Sequence, residues 1–309
     1  MNTKGEFSHI PVLLSECLEA LSIKPEGTYL DGTVGGAGHS SEIAKRLCGG
    51  RLYCLDKDSE AVAASSQKLK PYGCASVIEG DFRDSDVILA GVSLDGALLD
   101  LGVSSHQLDT AERGFSYNAD GALDMRMSKN GITAADLINS MSWQELADII
   151  RKYGEEPNAA LIARKIAKVR ETAPIETTMQ LTQAIVSALP AAVRRKDKNP
   201  ARKTFQAIRI AVNDELDTLS DGLEKIFGLL KPGGRFAVIT FHSLEDRIVK
   251  QYFASLQISC TCPPEYPICT CGGKAKATAI TKKPITATET ENEENRRARS
   301  AKLRVIEKI

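Results

Sequence analysis

Four short apolar segments each end in an aspartate: Tyr29-Leu30-Asp31, Cys54-Leu55-Asp56, Val77-Ile78-Glu79-Gly80-Asp81 and Leu98-Leu99-Asp100. The first runs into the glycine-rich turn Gly35-Gly36-Ala37-Gly38, and Ser40-Ser41-Glu42 then opens a helix. Backbone N–H groups at such a turn suit an anion, and an acid about 20 residues on, here Asp56, suits ribose hydroxyls. Gly36-Ala37-Gly38 matches the start of a dinucleotide fingerprint, but Ser41 stands where its third glycine belongs. NAD and S-adenosylmethionine both fit these two features. Asp81-Phe82 could bracket an adenine edge and face, and Asp100 could pair with an ammonium. A lone strand-end aspartate is more often a cap or turn residue. Four in register favour a ligand with a ribose, an adenine and a zwitterion, so S-adenosylmethionine is preferred to NAD.

Two other groupings could do chemistry. Cys260-x-Cys262 and Cys269-x-Cys271 flank a proline-fixed loop and could hold a closed four-thiolate Zn²⁺, although the spacing is tighter than usual. Free or redox-labile thiols are the alternative, and zinc is preferred to them. Arg194, Arg195, Lys196, Arg202 and Lys203 form one basic run, and Arg296, Arg297 and Arg299 a second. Either could neutralise phosphates or be a solvated loop.

The elements that must position these residues alternate. Strand patterns at residues 28–31, 51–56, 75–79 and 95–100 are separated by helical patterns at 40–47 and 59–69, after a first helix over Pro11–Leu21. This is the rhythm of βαβ units on a parallel sheet. It lapses after Gln107: residues 112–127 show no period, and helical patterns alone follow, including a long one from Lys203 to Leu230 with a break near Asn213 or Ser220. Strand rhythm returns at 235–240, and a last strand fits 302–306. The expectation is an α/β domain over 1–107 and 216–309, ending in a cysteine-rich and basic tail, interrupted by an all-helical domain over 108–215 on the substrate side.

Composition is that of an ordinary globular chain. Its 309 residues carry 40 basic and 40 acidic side chains, so nucleic-acid contact must come from local patches. No apolar run reaches membrane-span length and no signal peptide is legible, which points to a cytoplasmic protein.

Longer motifs carry a resemblance. His9-Ile10-Pro11-Val12-Leu13-Leu14, Leu98-Leu99-Asp100-Leu101-Gly102-Val103-Ser104-Ser105, Glu112-Arg113-Gly114-Phe115-Ser116, Leu123-Asp124-Met125-Arg126-Met127, Thr204-Phe205-Gln206-Ala207-Ile208-Arg209 and Phe241-His242-Ser243-Leu244-Glu245 spread over nearly the whole chain. The sequence resembles the RsmH (MraW) family, methyltransferases of the N4 atom of a cytidine in the decoding region of 16S ribosomal RNA. The resemblance implies a Rossmann-like class I S-adenosylmethionine methyltransferase sheet, with cofactor contacts at Ala37, Gly38, His39, Asp56, Phe82, Asp100 and Gln107. It also implies 16S rRNA in the small subunit as partner, and leaves monomer and homodimer both open. The family often has arginine and glycine where this chain has Gly36 and Ala37.

The implied chemistry asks for an amine whose lone pair is delocalised to attack an activated methyl group. The Asn/Asp-Pro-Pro-aromatic turn of DNA amino-methyltransferases is replaced by Asp100-Leu101-Gly102-Val103. No Pro-Cys dipeptide occurs, which argues against covalent attack at C6. Asp100, Asp124 and His242 are the candidate catalytic acceptors, with a helix cap as the plain alternative at His242-Ser243. Non-catalytic assembly factor and NAD-dependent oxidoreductase are the competing functions.

Overall fold

A computed structural model describes residues 11–196, 198–259 and 273–309. The chain divides into two compact units, one of the described residues up to Gly102 with Leu216–Ile309, the other Val103–Glu215. The four clustered cysteines, Cys260, Cys262, Cys269 and Cys271, lie outside the described residues.

The first unit is built on β1 (Thr28–Asp31), β2 (Arg51–Asp56), β3 (Ala75–Glu79), β4 (Leu94–Asp100), β5 (Leu230–Thr240), β6 (Ala277–Ala279) and β7 (Lys302–Lys308). They form one sheet in the order β3-β2-β1-β4-β5-β7-β6. The first five strands run parallel, and β7 pairs antiparallel with both β5 and β6. Its helices are α1 (Leu14–Leu21), α2 (Gly38–Ala44), α3 (Ser59–Leu69) and the short α4 (Ser85–Ile88).

The second unit carries α5 (Ser105–Asp109), α6 (Ala134–Ser140), α7 (Trp143–Gly154), α8 (Ala159–Arg170), α9 (Thr178–Ala188), α10 (Ala191–Lys196) and α11 (Arg202–Asn213). The chain then continues in α12 (Glu215–Leu229), α13 (Ser243–Gln257) and α14 (Glu289–Glu294).

The apolar runs of the strands follow from cover on both faces. Leu98, Ala237, Ile239 and Val305 pack on one side with Cys17 and Ile43. Leu99, Phe236 and Val238 pack on the other with Leu223, Val249 and Phe253. Neighbouring residues of one strand thus serve opposite cores, as a period of two requires. β1 lies between β2 and β4, so the strand order reverses there, and the crevice outside the carboxyl ends of β1 and β4 is the natural ligand position.

The break in the long helical stretch falls beside Asn213, as expected, while α1 and β6 depart from the sequence expectation, and each has a physical cause. Helix α1 begins at Leu14 because Leu13 is left-handed (φ 53°) and donates its N–H to Glu291 Oε1 at 2.7 Å. The long helical stretch breaks at Asp214, also left-handed (φ 51°). Strand β6 is three residues long, too short for a periodic signal.

In the second unit, capping boxes start three of the helices that follow residue 127: Thr133 with Asp136, Ser142 with Glu145, and Thr177 with Gln180. The aperiodic run before them is held by side chains. Arg113 Nη2 donates to the carbonyls of Arg126 and Met127 at 3.0 Å each. Asn213 accepts from Met127 N and donates to Met125 O, both at 2.7 Å. Met125 is fully buried with φ 60°, a backbone state that only its surroundings can enforce. Gly114 (φ 73°) lets this run close, since a Cβ there would lie 2.3 Å from Ala122 O and 2.6 Å from Asp124 N. Gly114→Ala should therefore lower unfolding stability by about 2–4 kcal/mol, combining αL strain with backbone overlap. Denaturant unfolding with an unchanged midpoint would refute this.

Candidate functional site

The site grows from the carboxyl ends of β1, β2 and β4. Asp31 is 2% exposed; it accepts from Ser40 Oγ at 2.6 Å and Thr33 N at 3.2 Å. Burial pushes its carboxyl up to about 6, against the pull of those two bonds. Asp56 accepts from Gly35 N and Asp58 N at 2.9 Å each, so the acid at the end of β2 fastens the glycine turn after β1. Burial likewise raises it to about 6. Each of its oxygens keeps a lone pair for a further donor.

Asp100 is the least satisfied of the three. Its backbone N–H donates to Thr33 Oγ1 at 2.7 Å, but its buried Oδ1 has no hydrogen-bond partner. Oδ2 faces His39 Nδ1 at 3.6 Å. The other ring nitrogen, Nε2, lies 3.0 Å from the Val12 carbonyl. A carbonyl can only accept, so Nε2 carries a proton, and Nδ1 is the ring atom turned to Asp100. Desolvation, with the charges of Asp31 and Glu245 added, pushes the Asp100 carboxyl up to about 8.

The turn and the aromatic complete this side. Ala37 is left-handed (φ 55°), fully buried, and precedes the first residue of α2. Its N–H donates to Val34 O at 2.7 Å. A Cβ on Gly38 would stand 2.4 Å from Pro11 Cγ, while one on Gly36 would meet nothing within 4 Å. Phe82 opens a short 3₁₀ turn capped by Asp81, whose carboxylate accepts from Arg83 N at 3.0 Å. These residues offer acceptors for hydroxyls at Asp56, an unmatched acceptor for a cation at Asp100, and an apolar ring at Phe82.

Residues 6–309 match the MraW methylase family. The chain belongs to that family. It is 49% identical to the ribosomal RNA small subunit methyltransferase H of Lachnospira eligens, with 98% of each chain covered. It is 51% identical to the proteins of the same name from Paenibacillus sp. and Heliobacterium modesticaldum, over 98% of this chain and 100% and 99% of theirs.

Other residues singled out from the sequence of this family member take varied places. Gln107 lies in the second unit, 5% exposed, where its side chain closes the capping box of α5 with Ser104. Asp124, in the same unit, is gripped by Arg126, with Nε to Oδ1 at 2.9 Å and Nη2 to Oδ2 at 2.7 Å. Partial burial opposes its ionisation, yet the Arg126 bonds hold it below the usual carboxylate range. His242, not Ser243, is the N-cap of α13, in a capping box with Glu245. Its Nδ1 accepts from Glu245 N at 3.4 Å, and its Nε2 lies 3.0 Å from Glu245 Oε1.

Glu245 was missed in the sequence. It is 2% exposed, and its Oε2 accepts from Phe241 N at 2.8 Å and His242 N at 3.2 Å. Its signal was an acid three residues after a possible cap, obscured because histidine is an unusual cap residue.

Arg194, Arg195 and Lys196 end α10 exposed, and Arg202 is exposed at the start of α11. Lys203 donates to Glu155 O at 3.0 Å. In the first unit, Arg296 and Arg299 are exposed and Arg297 half-buried in one 3₁₀ turn. No described helix is long and apolar enough to cross a membrane.

Proposed function

We propose that this protein transfers the methyl group of S-adenosylmethionine to the N4 amine of a cytidine in the decoding region of 16S ribosomal RNA, in the cytoplasm. The observation that carries the cofactor reading is the orphaned Oδ1 of Asp100, a buried acceptor at the strand end nearest the reversal of strand order. The donor set fits the cofactor. Asp56 takes the ribose hydroxyls, Phe82 the adenine, and Asp100 the ammonium. The carboxylate falls at the Gly36–His39 turn, with Gly38 rather than Ala37 offering its N–H, since that of Ala37 is committed to Val34. The resemblance also implies a cofactor contact at Gln107. The substrate reading rests on relatives about 50% identical over their whole length whose names specify small-subunit ribosomal RNA.

The cofactor supplies a sulfonium-activated methyl group. The protein must hold the amine nitrogen in line with it at near-attack distance, about 3–3.5 Å. A nitrogen that has just gained a methyl group is cationic and strongly acidic, so water or a weak carboxylate takes its proton. Asp124 and His242 then chiefly hold their own segments in place, and Asp100 holds the ammonium. Exposed Arg194, Arg195, Lys196, Arg202, Arg296 and Arg299, with Arg297 and Lys203, contact RNA phosphates. The target base must be unpaired or flipped out to reach the site.

The test is methyl transfer from labelled S-adenosylmethionine to small subunits lacking the modification, with the acceptor mapped by mass spectrometry. Label on a cytidine amine in the decoding region is expected. Tight cofactor binding without transfer to any stage of the subunit would favour a non-catalytic assembly factor instead.

A further inference from the structure

Asp100 sits among groups that oppose its charge. Asp31 from β1 and Glu245 from α13 are buried acids whose charges act on it. Cys17 from α1 is a fully buried thiol held well above its ordinary range, by burial first and by Asp100 next. His39 from α2 presents its Nδ1 at 3.6 Å. Among the described residues no lysine or arginine is paired with Asp100, and Oδ1 has no hydrogen-bond donor. The Oδ1 end of a carboxylate in such a place lacks the compensation that burial requires. Taking up a proton removes the charge and lets the imidazole nitrogen face an acid hydrogen. A bound cation is the alternative compensation, and the two exclude each other.

We propose that Asp100 is the proton-exchange group of the cofactor site: it is a carboxylic acid when the site is empty and releases its proton to solvent when the cofactor's ammonium arrives, with His39 as the residue that positions it. This deepens the proposed function and rests on its placing of the ammonium at Asp100. The exchange balances: Asp100 loses one proton, the ammonium brings its charge ready-made, and the pair that remains is neutral. The site thereby selects for a ligand's positive charge as well as its shape. An adenine nucleoside without the amino acid end can occupy the Phe82 and Asp56 positions but cannot displace the proton. His39 acts through Asp100. Its Nε2–H bond to Val12 fixes the ring, and Nδ1 turns Oδ2 toward itself and Oδ1 toward the ligand.

The experiment is isothermal titration of the full chain at pH 7 in buffers of different ionisation enthalpy, whose slope counts protons released. S-adenosylhomocysteine keeps the ammonium, and 5′-methylthioadenosine lacks it. The expected count is close to one for the first ligand and close to zero for the second, with both measured on the unaltered protein. His39→Gln, whose amide can still donate to Val12, should lower the count, because the acid loses the nitrogen that favours its protonated form. An unchanged count would return His39 to a purely structural role. Tight binding of S-adenosylhomocysteine with no proton released would overturn the proposal and leave the proposed function standing. No binding of either ligand would sink both.

Discussion

Asp100→Asn should make the ligand-free protein more stable at pH 8 while weakening S-adenosylmethionine binding about a hundredfold. The two effects share one cause. The fold raises the Asp100 carboxyl to about 8 from an unfolded value near 4, because burial and two neighbouring acids disfavour its ionised form. The sign follows from proton counting. Between these two values the unfolded chain has released the proton and the folded chain still holds it, so stability falls as pH rises through that window. Asp31 and Asp56, each raised to about 6, act in the same direction over a narrower one. An amide at position 100 cannot ionise and removes the largest of the three slopes, on the order of a few kcal/mol by pH 8. It also cannot pair with an ammonium, and losing a buried charge-assisted contact costs about 2–3 kcal/mol of binding. Melting temperatures from pH 5 to 8, with and without cofactor, measure both. A variant that melts lower than the parent at pH 8, or binds the cofactor equally well, would contradict the argument.

The sequence was most legible where one physical rule acted alone. The strands showed because Leu98-Leu99 and Ala237-Val238 feed opposite cores and leave little room for polar residues. The acids closing them showed for the converse reason, since an aspartate after an apolar run stands out. What those acids do was less legible, because it depends on partners far away in the chain. Nothing local to Asp56 says that it holds Gly35, and nothing local to His39 says that Val12 fixes its ring. The cap of α13 was open between His242 and Ser243 because Ser243 is the better cap by type, while Glu245 selects His242 by spacing. The aperiodic run after Gln107 hid its order for a different reason. Arg113 and Asn213 hold it with side-chain bonds that have no period, so no pattern could reveal it.

Gly222→Ala should weaken cofactor binding about tenfold although alanine is the better helix former. Gly222 lies in the middle of α12, where glycine costs about 1 kcal/mol relative to alanine. The reason to keep it is Phe82. A Cβ at position 222 would lie 2.3 Å from Phe82 Cδ2 and 2.5 Å from Cε2, so the ring occupies the space a side chain would need. The turn that carries Phe82 is tied to the same stretch of helix by Arg83 Nε and Asp221 Oδ2 at 3.1 Å. Retreat of the turn is thereby restrained, and a methyl group must tilt the ring instead. If that ring is the adenine wall, tilting it spoils the stacking surface, while the gain in helix propensity offsets part of the packing loss in the fold. The expected signature is a small change in melting temperature beside a large change in affinity. A double-mutant cycle separates packing from propensity. In a Phe82→Leu background the smaller side chain makes room, so Gly222→Ala should cost little further affinity, with a coupling of about 1 kcal/mol. Additive effects, or a Gly222→Ala protein that binds S-adenosylhomocysteine as tightly as its parent, would mean that Phe82 does not form the wall.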